Sequence, residues 1–146
     1  MAIDTHIPEI AGVIQLAVAP VFLLTAIGTV IAALNIRLGR AVDRRRELEA
    51  KVASLPPDEL RSALEELGVI ARRIHCSYLA ILAAVISALF VCLLIAGAFL
   101  GAFVRVDLSY PIGAMFIFAM LALTASLLLF LREIFLAVST PRYVPR

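Results

Sequence analysis

Residues 20–52 read PVFLLTAIGTVIAALNIRLGRAVDRRRELEAKV. The first half is apolar and the second is dense in charge, yet no proline pair or glycine run divides them. One helix is therefore expected to leave a hydrocarbon environment and continue into water. The whole chain fits that reading: of 146 residues, 63% are hydrophobic, with a mean hydropathy of +1.05. Soluble domains use about 45–50% apolar residues. Here the excess falls into three long blocks, which points to a bilayer rather than a soluble bundle.

The first block runs from about 10 to 36, the second from about 77 to 101 and the third from about 111 to 131. Each is long enough to cross roughly 30 Å of hydrocarbon. Pro8 and Glu9 suit a helix start, since proline is tolerated in the first turn and a carboxylate meets the positive end of the dipole. Pro20 lies inside the first block, where a membrane helix accommodates it as a kink rather than a stop. The opening MAIDTHIPE holds no Lys or Arg, so a secretory signal peptide is not expected.

Between the first two blocks lies a charged segment, about 37–75. Leu38, Val42, Arg45, Leu48, Val52 and Leu55 recur at spacings of three and four, as do Leu60, Leu64, Leu67, Ala71 and Ile74. Such narrow seams pair helices in water, in the manner of a coiled coil. SLPPDEL separates them: Pro56 and Pro57 end one helix, and Asp58 and Glu59 suit the first turn of the next. The expected fold is all-α: one membrane domain of three transmembrane helices, with a cytoplasmic antiparallel helical hairpin between the first and second. The hairpin stands roughly 25 Å off the bilayer at 1.5 Å per residue.

Charge sets the orientation. Nine cations, Arg37, Arg40, Arg44, Arg45, Arg46, Lys51, Arg61, Arg72 and Arg73, lie in the hairpin. Arg132, Arg142 and Arg146 follow the third block, while the link FVRVDLSYP carries Arg105 alone. The positive-inside rule puts the N-terminus outside and the hairpin and C-terminus in the cytoplasm, as a multi-pass protein of a bacterial inner membrane. A net charge of +2 gives no reason to expect nucleic acid.

No catalytic constellation is visible. The three blocks contain no Asp, Glu, Lys, Arg or His, which a proton pump or intramembrane hydrolase would be expected to keep. GxSxG, HExxH and phosphate-loop patterns are absent. His75 and Cys76 are adjacent, so they point about 100° apart on a helix and share a metal ion poorly. Cys76 and Cys92 are about 24 Å apart along a helix, too far for a disulfide within the chain. Neither an enzyme nor a cofactor is expected.

The first block carries the polar signal. At 100° per residue Gln15, Phe22, Thr25, Thr29 and Arg40 fall within about 80° of one another, with Val18 on the same stripe. Polar groups in a bilayer face protein or water. The stripe is therefore expected to bond to the other blocks, to meet its own copy, or to line a pore. An inner belt of Arg37, Arg40, Arg44, Arg72, Arg73 and Arg132 is expected to meet anionic lipid headgroups, with Asp43 in reach of Arg72 or Arg73. Gly97 and Gly101, in GxxxG spacing, and Ala80, Ala84, Ser87 and Ala88 are expected at close helix contacts.

The stretch IQLAVAPVFLLTAIGTVIAALNIRLGRAVDRRRELE resembles the opening signature of a bacterial family of small three-span membrane proteins catalogued as a domain of unknown function, and LLLFLREIFLA resembles its closing segment. The likeness covers nearly the whole chain and is densest over 14–49. It extends to Gln15, Pro20, Asn35, Arg37, Arg40, Asp43, Arg44 and Arg46, and to Arg132 and Glu133. It implies the three-span architecture and no particular activity. The residues themselves point to a homo-oligomer, read most specifically as an ion-conducting pore lined by the first helix. The alternative is an anchored scaffold or accessory subunit that binds a protein partner through the hairpin.

Overall fold

In a computed structural model the chain is all-helical. Backbone structure is described for 6–104 and 107–138, and side-chain surroundings for 12, 14–15, 17–57, 59–104 and 107–137. Arg105, Arg142, Arg146 and the side chains of Pro8 and Glu9 lie outside the described residues. Among the described residues three helices follow one another: α1 (His6–Val52), α2 (Pro57–Val104) and α3 (Ser109–Val138). All three are long and apolar enough to cross a membrane. α1 passes through Pro20 and on from its apolar into its charged half without interruption, and α2 does the same in reverse.

Local chemistry sets the helix ends. After Val52 the chain turns, with Ser54 donating from N to the Lys51 carbonyl at 3.0 Å and from Oγ to the same oxygen at 2.9 Å. Pro57 occupies the first position of α2, where its missing N–H costs nothing, and the Pro56 carbonyl accepts from Leu60 N at 2.9 Å. Before α3, Asp107 Oδ1 accepts from the Ser109 hydroxyl and, at 3.0 Å, from Ser109 N. Those bonds, the hydroxyl first, hold the exposed Asp107 carboxyl below its ordinary value.

The chain divides into two compact units. The first comprises Met1–Ile31 and Ala83–Thr124. Its core is Ile27, Ala84, Val91, Leu94 and Ala119, with Leu23, Ile31, Ile112 and Met115 packed around it. The small residues matter most. Ala84, Ser87 and Ala119 are fully buried, and Ser87 Oγ donates to the Ala119 carbonyl of α3 at 2.7 Å. That bond requires the α2 and α3 backbones to run close together, which only short side chains allow. At Gly97 an added Cβ would meet Ile112 at 3.7 Å, an ordinary contact, so the close approach is at the alanines and serines.

The second unit comprises Ala32–Leu82 and Ala125–Arg146. Ser126 Oγ of α3 donates to the Ala80 carbonyl of α2 at 2.7 Å, the same device turned around. Leu48, Ala63 and Ile70 form a core between α1 and α2, covered by Val52, Leu55, Leu67 and Ile74. Leu48, Val52, Leu55, Leu67 and Ile74 of the expected seam lie in this core, and the differences are local. Ala41 is buried in place of Val42, and Ala63 and Ile70 in place of Leu64 and Ala71, which are exposed. The expected seam followed the largest apolar residues, whereas closely packed helices put alanine at the centre.

Buried positions recur every seven residues: Ile27, Leu34, Ala41 and Leu48 on α1, Ala63, Ile70, Ser77, Ala84 and Val91 on α2, and Ala119, Ser126 and Glu133 on α3. A seven-residue period keeps one stripe of a helix facing its neighbours. Placing a large side chain on that stripe should be costly. Ala84→Leu should destabilise by about 1–3 kcal/mol through overpacking, while Gly97→Ala should be neutral or stabilising. Thermal unfolding of the two variants in one detergent compares them directly.

Candidate functional site

The seven-residue spacing on α3 puts a carboxylate where alanine and serine stand in the turns before it. Glu133 is 1% exposed, and among the described residues it is the only buried acid. Both neighbouring helices supply its partners. Arg37 of α1 donates from Nε to Oε2 at 2.8 Å, and an Nη of the same guanidinium lies 2.8 Å from that oxygen. Arg73 of α2 donates from Nε at 3.3 Å and from an Nη at 3.0 Å to Oε1. Each carboxylate oxygen is thus engaged by one guanidinium, and one residue from each helix meets at one point. The Arg37 guanidinium also lies over the Phe130 ring, 5.4 Å from its centroid, so an aromatic face backs the charge.

Such a clamp is stable only when complete. Charge-assisted hydrogen bonds to both oxygens offset the desolvation of Glu133, but removing one member leaves a buried charge unmatched. The cluster carries one surplus positive charge. It offers no nucleophile and no open ligand position; its chemistry is that of a fastener.

A turn or two along the hairpin, Arg44 donates from Nε to Glu66 Oε1 at 3.0 Å, with an Nη also 3.0 Å from that oxygen, and approaches Glu47 at 3.5 Å. Glu66 Oε2 is buried and, among the described residues, has no hydrogen-bond partner. Arg45–Glu49 and Lys51–Glu47 are exposed pairs within α1. The anticipated belt of six arginines is thus of two kinds. Arg37, Arg73 and Arg44 are half-buried and bound to carboxylates, whereas Arg40, Arg72 and Arg132 are exposed and show no ion pair among the described residues. Asp43, expected against Arg72 or Arg73, is exposed instead, because Arg73 turns to α3.

The stripe on α1 lies elsewhere, within the first unit. Gln15, Val18, Phe22, Thr25 and Thr29 are all exposed, Phe22 to 72%, and Pro20 is half-buried. Measured from buried Ile27, all five lie about 120° or more around the helix. They face away from α2 and α3, which removes the expectation that they bond to those helices. Thr29 Oγ1 donates to the Thr25 carbonyl at 3.0 Å and Thr25 Oγ1 to the Val21 carbonyl at 3.4 Å. Gly97 and Gly101 are half-buried, His75 is exposed and Cys76 is buried. No group of three metal-ligating side chains occurs among the described residues.

Three helices of membrane-spanning length and hydropathy, with a polar continuation of two of them, define a multi-pass membrane protein. Residues 17–143 match the family described as "protein of unknown function (DUF2721)", and the chain belongs to that family. No curated protein and no solved structure matches it.

The resemblance extends to Glu133, but composition alone hid its role. The residue sits in LLLFLREIFLA as one acid beside one base, where a pair of interfacial charges is ordinary. The seven-residue step from Ala119 and Ser126 would have found it, because that step marks 133 as inward-facing. Replacing Glu133 by Ala should cost about 3–5 kcal/mol, whereas Arg132→Ala, at the exposed neighbour, should cost less than about 0.5 kcal/mol. Chemical unfolding monitored by circular dichroism tests the contrast.

Proposed function

We propose that the protein assembles with copies of itself through the outer face of α1, and that the assembly conducts ions along that face. The observation carrying this reading is the position of Gln15, Val18, Phe22, Thr25 and Thr29 on the side of α1 turned away from its own chain. Thr25 and Thr29 bond their own helix and tolerate lipid. Gln15 is different: its amide has two N–H donors and a carbonyl, and among the described residues nothing bonds them. Leaving such a group in hydrocarbon costs a few kcal/mol, which a neighbouring subunit or water column removes. One chain of three spans encloses no channel, so permeation needs several copies with α1 innermost. Phe22 and Val18 then form an apolar constriction between the polar turns.

The reading places the protein in a bacterial inner membrane, hairpin and C-terminus in the cytoplasm, on the charge count alone. It also places Arg40, Arg72 and Arg132 against anionic headgroups, worth about 1 kcal/mol per cation near the surface. It assigns no reaction, cofactor or nucleic acid.

A second reading draws on the hairpin. Pro57, Leu60 and Leu64 line a shallow apolar depression with Arg61 and Glu65 at its rim, and Leu64 is 53% exposed. Leucine left open in a water-facing segment suits a protein partner, as a scaffold or accessory subunit would use. The readings separate experimentally. Purified protein in liposomes should pass ions faster than empty vesicles, with Phe22→Ala raising the flux and Gln15→Leu lowering it. Leu64→Lys should leave flux unchanged. A single copy per nanodisc, with flux equal to empty vesicles, removes the pore. Loss of a co-purifying protein on Leu64→Lys supports the scaffold.

A further inference from the structure

Arg72 and Arg132 each stand one residue before a member of the Glu133 clamp, the first on α2 and the second on α3. Both are exposed, and among the described residues neither has an ion pair. The two helices run antiparallel here: Ser126 bonds to Ala80, and Glu133, seven residues later, bonds to Arg73, seven residues earlier. Stepping back one residue turns a side chain by about 100°, and on antiparallel neighbours the two turns have opposite senses. From the shared Glu133–Arg73 contact, both arginines therefore emerge on the same side of the helix pair. Ile70, which shares a buried core with Leu48 of α1, lies about 160° around α2 from Arg72, so that side is the one away from α1. The two arginines start about 3 Å apart in height, on axes about 8–10 Å apart.

The surroundings of this groove suit a lipid. Leu79, seven residues after Arg72, and Leu128, four before Arg132, are exposed and lie toward the apolar part of each helix. Each falls within about 40° of the arginine on its own helix. Two free cations thus stand at the head of a strip of open leucine, with the surplus positive charge of the clamp behind them. Their stems rise from separate helices, a spacing that suits two phosphates joined through one glycerol better than a single phosphate. Basic pockets between membrane helices on the cytoplasmic side recognise headgroups of that kind. We propose that Arg72 and Arg132 together hold one lipid carrying two phosphates, of the diphosphatidylglycerol type, in the outer groove between α2 and α3. Each guanidinium takes one phosphate, and the acyl chains run along Leu79 and Leu128. This site is a specific part of the headgroup contact proposed above and rests on it; it is independent of self-association and of ion flux.

The test is a displacement assay on the full-length protein in mild detergent, read by fluorescence anisotropy of diphosphatidylglycerol labelled on an acyl chain. Unlabelled diphosphatidylglycerol should displace the probe at a concentration at least about tenfold below that of phosphatidylglycerol, more than its doubled phosphate count explains. Phosphatidylethanolamine and inorganic phosphate should displace it least. Arg72→Gln or Arg132→Gln should each weaken probe binding at least about tenfold and erase the preference between the two anionic lipids. Arg40→Gln, which removes the same charge from α1, should weaken both anionic lipids alike and keep the preference. Thermal unfolding by circular dichroism without lipid reports that the three variants remain folded. Equal competition by the two anionic lipids, or a preference that survives both Arg72→Gln and Arg132→Gln, overturns the two-phosphate site and leaves the general headgroup contact standing. Displacement by inorganic phosphate overturns the lipid as occupant. Phosphatidylethanolamine competing as well as the anionic lipids overturns the site and the headgroup contact together.

Discussion

A carboxylate at the boundary of a bilayer has few low-energy environments. Hydrocarbon rejects it, and a packed interior accepts it only with every lone pair matched. In this chain Glu133 meets that condition by drawing one guanidinium from each of the other two helices. The consequence is geometric. Rotating α3 by one residue, or sliding it by one turn, would strand the acid and both arginines. Dispersion between leucines is nearly indifferent to such shifts, and lipid is as good a solvent for them as protein. The clamp therefore supplies the register that apolar contacts alone leave loose.

The other contacts between helices are chemically simpler. Ser126 Oγ on the Ala80 carbonyl and Ser87 Oγ on the Ala119 carbonyl each tie α2 to α3 with one short hydrogen bond. Leu48, Ala63 and Ile70 close the hairpin by apolar burial, as suits a segment with charge on its outer surface. The stripe that carries the buried core residues, Ser126 and Glu133 repeats every seven residues within each helix, although the helices reach 48 residues.

Much of this was legible in the sequence. The three spans, the proline-set tip at Pro56 and Pro57 and the uninterrupted passage of α1 into charge follow from hydropathy and helix-stop chemistry. The seam was less so. Leucine and valine at three-and-four spacing drew the reading to Val42 and Leu64, while the buried places belong to Ala41 and Ala63, whose small size is the property used. The arginines were legible as a belt because positive-inside counting finds them. Their division into clamped and free was not, because it depends on which residue of α3 points inward. Spacing marks a polar face on α1, but only its position opposite Ile27 says that it looks away from its own chain.

The account rests most heavily on an ionised Glu133 shared between two arginines. Dipolar-coupling solid-state NMR on the protein in lipid bilayers, with carbon-labelled glutamate and nitrogen-labelled arginine, measures this directly. It should show one carboxylate carbon close to the guanidinium nitrogens of both Arg37 and Arg73, with the chemical shift of an ionised acid. A protonated Glu133, or a carboxylate close to only one guanidinium or none, would contradict the account.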